Sequence, residues 1–226
     1  MKRLNVAVVA AVLSSSVFAA PAATRIRGTI ASIGTGEIVV HTTAGTDMHV
    51  ALDSSTQYLQ VVKSDLGKVE KGSYIGTATK DTGANLIALE VVVFPPAMKG
   101  AGEGHYAWDS IPDTTLSGKG YTSSSMTNGS VTSVTAPPAA TVNSTMTNGN
   151  VSTASEQNGV KKLTVTYKGG EQTVLVPPTA PIVTFRPGTM SDLSKGAAVF
   201  IRATTHGSQT VAGMVAVGKD GVKPPM

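Results

Sequence analysis

A set of short strand-forming segments occurs twice in this chain in the same order, and that repetition constrains the architecture more than any other feature. Ile38 to Thr42 is matched by Leu163-Thr164-Val165-Thr166-Tyr167, and Met48-His49-Val50-Ala51-Leu52 by Gln172-Thr173-Val174-Leu175-Val176. Ser64-Asp65-Leu66 followed by Lys71-Gly72 returns as Ser191-Asp192-Leu193 followed by Lys195-Gly196. Ile87-Ala88-Leu89-Glu90-Val91 returns as Val211-Ala212-Gly213-Met214-Val215. For the first strand, Gly28-Thr29-Ile30-Ala31-Ser32 is echoed by Gly149-Asn150-Val151-Ser152-Thr153. That echo lies 121 positions on, close to the 124 that separate Ala88 from Ala212. Five echoes in order at a near-constant spacing imply an internal duplication.

Each copy reads as strands. Arg25 to Ile33 alternates apolar and polar residues, the period of a half-buried strand. Lys63 to Val69 offers one or two helical turns behind a Ser/Asp cap. Leu86 to Phe94 is the strongest strand, stopped by Pro95-Pro96. About five strands and one short helical turn per copy predict an all-β chain of two tandem, small OB-like five-stranded barrels, with small β-sandwiches as the alternative. The expected boundaries are a first domain over 20–97, a Gly/Ser/Thr-rich loop and linker over 98–144, and a second domain over 145–226. Ser125 to Val131 and Thr145 to Val151 are themselves alike, 20 positions apart, so either can open the second copy. A copy of about seventy residues without cysteine has a marginal core, so the copies are expected to pack on each other.

The first residues set the expected compartment. Met1-Lys2-Arg3, an apolar run from Leu4 to Leu13 and Val17-Phe18-Ala19 form a signal-peptide pattern over 1–19. The run is too short to span a bilayer, and no second long apolar segment follows. The mature chain is therefore expected in the periplasm or outside the cell, without a membrane span. With no cysteine in the chain, disulfides and thiolate chemistry are excluded. The formal charge of +4 falls to +2 once Lys2 and Arg3 are removed, and the basic residues form no stripe, so nucleic acid is not an expected partner.

The richest side chains sit in the loop between the copies, Phe94 to Asp109, which holds the only tryptophan. Glu103, His105 and Asp109 are candidate acid/base groups or ligands for a hard metal, with Tyr106 and Trp108 as a platform for an apolar or sugar-like ligand. The plainer alternative has Tyr106 and Trp108 plugging the seam between barrels while Glu103 and His105 cap turns. His41 and His49 form a second candidate. A short loop centred on Gly45 would set them directly opposite each other on the outward face, half of a Zn(II) or Cu(II) site. The plainer alternative is a solvated surface pair. Gly-x-Ser-x-Gly, a phosphate loop and His-Glu-x-x-His are all missing, so no enzyme is expected.

Several motifs carry a resemblance. Arg27-Gly28-Thr29-Ile30-Ala31-Ser32, Lys71 to Ala78, Phe94-Pro95 through Met98-Lys99-Gly100-Ala101-Gly102-Glu103-Gly104-His105 to Trp108-Asp109, Tyr167 to Glu171 and Gly221 to Met226 resemble an exported bacterial family of unknown function with two tandem small OB-like barrels. The likeness covers essentially the whole mature chain. Members are often labelled metal transporter permeases, a role that needs several long apolar spans. The likeness implies export and duplication and brings no chemistry.

The expectation is thus an exported, non-catalytic binding or interaction module for an unknown protein or small ligand, its site at the 98–109 loop and the inter-barrel seam. A periplasmic copper- or zinc-handling protein using the surface histidines is the alternative. A carbohydrate hydrolase with Glu103 and Asp109 as its pair is a third.

Overall fold

The computed structural model describes residues 23–83, 85–115, 120–135 and 159–224. The segment read as a signal peptide and the echo at 145–153 lie outside them. The described chain is all-β, with helical structure limited to single 3-10 turns at Leu66–Lys68, Pro96–Met98 and Met190–Asp192. Asp65 caps the first of these by accepting the Gly67 amide, as the Ser/Asp pattern implied.

The first half supplies β1 (Ala23–Gly34), β2 (Glu37–Thr42), β3 (Asp47–Ala51), β4 (Gln57–Lys63), β5 (Tyr74–Asp81) and β6 (Leu86–Val93). The connecting stretch supplies β7 (Gly104–Ala107), β8 (Ile111–Pro112) and β9 (Tyr121–Thr122). The second half supplies β10 (Ser125–Thr135), β11 (Lys161–Tyr167), β12 (Gly170–Val176), β13 (Ile182–Pro187), β14 (Ala198–His206) and β15 (Gln209–Gly218). All join one mixed sheet except β8 and β9, which form a separate hairpin.

The halves exchange strands. A first ring of pairings runs β1-β2-β3-β15-β14 and back to β1, with β3 and β15 parallel and the other pairs antiparallel. A second ring runs β10-β11-β12-β6-β5 and back to β10 in the same sense, again with one parallel pair, β12 to β6. Each half therefore gives three strands to one ring and two to the other. The strands that cross between rings, β4 and β13, pair antiparallel at the centre, Val61 opposite Phe185. On their outer sides β4 lies parallel to β15, and β13 parallel to β6.

The irregularities repeat too. β1 bulges between Ile30 and Ser32, and β10 between Val131 and Ser133. Gly28 lies so close to the His41 carbonyl that a Cβ would stand 2.1 Å from it; Gly129 meets the Thr166 carbonyl at 2.4 Å. The structural counterpart of Gly28 is thus Gly129, 101 positions on, and not Gly149. The second copy opens at Ser125, inside the stretch read as linker, and β2 to β6 keep the spacing near 124 while the first strand does not.

Apolar residues sort into three main layers, with a smaller fourth cluster of Ala78, Leu89, Ile111 and Met126 against Trp108. One cluster fills the first ring, around Ile30, Ile38, Val40, Val50 and Ile201. A second fills the other ring, around Ile75, Val91, Leu163, Val165 and Val174. The third lies between them, where Val61, Tyr74, Val92, Phe94, Phe185 and Phe200 pack together. Burying this middle layer adds apolar area that neither small ring supplies alone.

Candidate functional site

The stretch after β6 leaves the sheet at Phe94-Pro95-Pro96, where proline offers no N–H to continue the ladder. A 3-10 turn follows, then glycines 100, 102 and 104, all at positive φ, turn the chain back. β7 then adds antiparallel to β10, with His105 opposite Thr127 and Tyr106 opposite Met126. Trp108 and Asp109 come next and meet β1. One short segment therefore touches both rings.

Trp108 and Asp109 are held by two arginines of β1. Arg25 donates to Asp109 Oδ1 through Nη2 at 2.9 Å and to Oδ2 through Nε at 3.3 Å, and Arg27 Nη1 donates to the same Oδ2. The Arg25 guanidinium stands 4.0 Å above the Trp108 ring centre. Arg27 lies 5.0 Å over Phe200 and 5.7 Å over Trp108, distances at which a cation is attracted to an aromatic face. Burial pushes the Asp109 pKa up, but the hydrogen bonds and charges of both arginines outweigh it, so the carboxyl titrates below its ordinary value.

The other candidates point elsewhere. Glu103 accepts the Lys168 amide at 3.0 Å, at the β11–β12 turn. His105 Nδ1 is 2.9 Å from Thr127 Oγ1, and its ring stacks on Tyr167 at 6.2 Å. Tyr106 donates to the Gly102 carbonyl, accepts from Asn128, and meets Trp108 edge-on at 5.8 Å. The five loop residues thus divide: Glu103 and His105 brace the second ring, Trp108 and Asp109 clasp the first, and Tyr106 lies between.

The histidine register differs from expectation. His41 pairs with Asp47, and His49 with Val39, so the two histidines are diagonal neighbours instead of directly opposite. The turn explains the shift. Thr42 closes on Thr46 across a three-residue loop in which Gly45, at φ 83°, takes the last position and not the middle. His41 Nδ1 lies 2.7 Å from Asp47, and His49 Nδ1 lies 3.6 Å from Glu37. Among the described residues no three His, Asp or Glu side chains gather into a group that could hold a metal.

Beside Asp109 opens a cleft of about 1220 Å³. Its walls come from β1 and β14 of the first ring, the β8–β9 hairpin, the Lys63–Gly67 segment and the Pro177–Val183 connection. Of the five loop candidates only Asp109 lines it. The hairpin wall is anchored by a partly buried ion pair, Lys80 Nζ to Asp113 at 2.8 Å, with Thr115 bonded to both. Three buried polar atoms among the described residues have no hydrogen-bond partner: Arg27 Nη2, Trp108 Nε1 and Asn128 Oδ1. The aromatic faces around Arg27 account for the first.

The chain matches no protein-family model, no curated protein and no solved structure. No helix among the described residues is long and apolar enough to cross a membrane. Asn128, part of an Asn-Gly-Ser sequon, is 4% exposed and closed to modification in the folded chain. Sequence reading missed Arg25, Arg27, Lys80 and Asp113. The available signal was weak: two arginines spaced by one residue share a strand face, yet only the exchange brings Trp108 to them.

Proposed function

We propose that this is an exported, non-catalytic binding module whose ligand lodges between the two rings, against the wall that Asp109, Arg25 and Arg27 build. Each ring serves in this reading as an OB-like barrel, used as a rigid support. The observation that carries it is the cleft of about 1220 Å³ walled from both halves and from the loop that joins them, a size suited to a ligand of drug or short-oligomer dimensions. Support for a non-catalytic role comes from Asp109, which two arginines hold as a carboxylate, and from Glu103, which is spent on a turn amide. Asp109, its pKa lowered, is not poised to exchange protons near neutral pH. Support for export comes from the first nineteen residues.

The sole tryptophan adjoins this wall and reports occupancy. Short acidic peptides, cell-wall oligosaccharides and fatty acids are titrated against Trp108 fluorescence, with Ala198→Trp as the cleft-blocked control read by calorimetry. The expected result is saturable binding by one class that the blocked variant loses while its circular dichroism is kept. Equal binding by the blocked variant, or silence from every class, overturns the reading. Metal handling through His41 and His49 has less in its favour, since each Nδ1 already faces a carboxylate. Dialysis against Cu(II) and Zn(II), compared with a double histidine variant, separates the two readings.

A further inference from the structure

The two rings differ at one edge. In the second ring β10 carries β5 on one side, while residues 125–128 carry β7 on the other. The Trp108 amide extends that ladder to the Ser124 carbonyl at 2.8 Å. In the first ring β1 carries β14 along residues 23–29, but β2 pairs only from Gly28 onward. The Thr43 amide donates to the Arg27 carbonyl at 2.9 Å, which fixes that residue's backbone groups on the side away from β14. Period-two alternation puts those of Arg25 and Ala23 on the same side. Among the described residues no strand pairs with this edge. A groove of about 200 Å³ runs along it, between Thr24–Arg27 and the Thr42–Met48 hairpin.

We propose that this edge of β1 takes an extended peptide from a partner protein as an added antiparallel strand, in the place that β7 fills on the other ring. The side chains specify the sequence. On the second ring the residue opposite Thr127 is polar, His105, and bonds to it. The corresponding residue of the first ring is Ile26, 3% exposed, with Met48 packed nearby against the same core. An apolar side chain therefore suits that position. The next residue faces Arg25. Arg25 is itself paired with Arg202 across β14, and Arg27 follows two positions on. Of these three arginines, Arg25 and Arg27 share the Asp109 carboxylate, and Arg202 has no ion pair among the described residues. Like charges directly opposite destabilise a sheet, so an acidic residue is favoured opposite Arg25. Opposite Arg27 the place is taken by Thr43, whose amide holds the Arg27 carbonyl, so the added strand begins opposite Ile26. The preferred strand reads apolar, acidic, polar. A second copy of this chain is disfavoured as occupant, because self-pairing centred here sets arginine against arginine. This mode of recognition draws affinity from main-chain bonds and selectivity from alternate side chains, and it does not depend on what fills the cleft.

The probe is the blocked peptide acetyl-Val-Glu-Thr-Ser-amide at millimolar concentration, added to the whole protein. Amide exchange at Arg25 is followed by NMR. Exchange at that amide slows at least tenfold at saturation, whereas Thr24 and Ile26, already bonded to β14, change little. A peptide with Lys for Glu binds at least tenfold more weakly. One N-methylated at Glu keeps every side chain but loses the donor to Arg25, and it also binds at least tenfold more weakly. Equal binding by the N-methyl peptide overturns the proposal, as does a response mapped away from β1. Slow exchange at Arg25 before any peptide is added, whether constant or rising with protein concentration, assigns the edge to this chain or to a second copy and overturns it too. Ala198→Trp leaves the peptide response unchanged, which separates this result from failure of the cleft reading.

Discussion

The two rings share a backbone and differ in what covers it. At equivalent positions Arg27 lies opposite Phe200 in the first ring and Asn128 lies opposite Gly76 in the second. Phe200 offers Arg27 a π face. Gly76 leaves room for the ring of Phe94 and for Asn128, which a Cβ would meet at 2.9 and 2.4 Å. The loop after β6 drapes over the second ring, anchored by Asn128 to the Gly102 carbonyl at 2.9 Å, and then crosses to the arginines of the first. The two rings repeat one pairing pattern. At a few outward positions they differ, so that one cradles the loop while the other presents a charged face and, among the described residues, an unpaired edge.

The comparison breaks most forcefully at the crossing strands. Phe185 is 5% exposed in the layer between the rings, and Phe185→Ala is expected to cost about 4 kcal/mol. Since β4 and β13 tie both rings, urea unfolding is expected to remain a single transition in this variant, followed by Trp108 fluorescence and far-ultraviolet circular dichroism together. Two separated transitions would show that the rings fold independently.

The shared backbone is tested by its paired glycines. Gly28→Ala and Gly129→Ala each drive a Cβ into a fixed carbonyl oxygen, and each is expected to cost about 2 kcal/mol. Similar losses in urea midpoints support equivalence; a loss in one alone removes it.

The smallest effect belongs to the face that only the first ring has. The Asp109 pKa is lowered in the folded chain from its ordinary 3.8. Its contribution is therefore complete above that value and is lost as pH falls through the lowered folded-state pKa. Asp109→Asn is expected to cost about 1 kcal/mol at neutral pH, given its partial exposure. The difference from the parent should shrink in acid, read as urea midpoints at pH 7 and below pH 3.8. A difference that stays constant with pH would mean that the ion pair contributes nothing.

Strand content, the cap at Asp65 and the echo of most strands were legible because they are local, written in alternation, in turn residues and in order. Two local readings failed for a reason of the same kind. The first strand of the second copy was confused with a near-identical segment twenty residues on, since Thr-Asn-Gly occurs in both and the buried partner that distinguishes them is β5. The histidine register was off by two because the position of Gly45 within its loop depends on backbone dihedrals that the residue name alone leaves open. Of the site, the loop was found and the division of its residues was not.

The sequence by itself determined that the chain is built of β-strands and that the strand pattern recurs, because side-chain period and glycine or proline punctuation act over a few residues. Only the tertiary structure decided which half's strands close which ring, since strands of either half present the same pairing edge and core face. The exchange gathers Phe94, Phe185 and Phe200 into the middle layer, from strands of both halves. It also brings Arg25 and Arg27 over the single tryptophan, from positions more than eighty residues away in the chain.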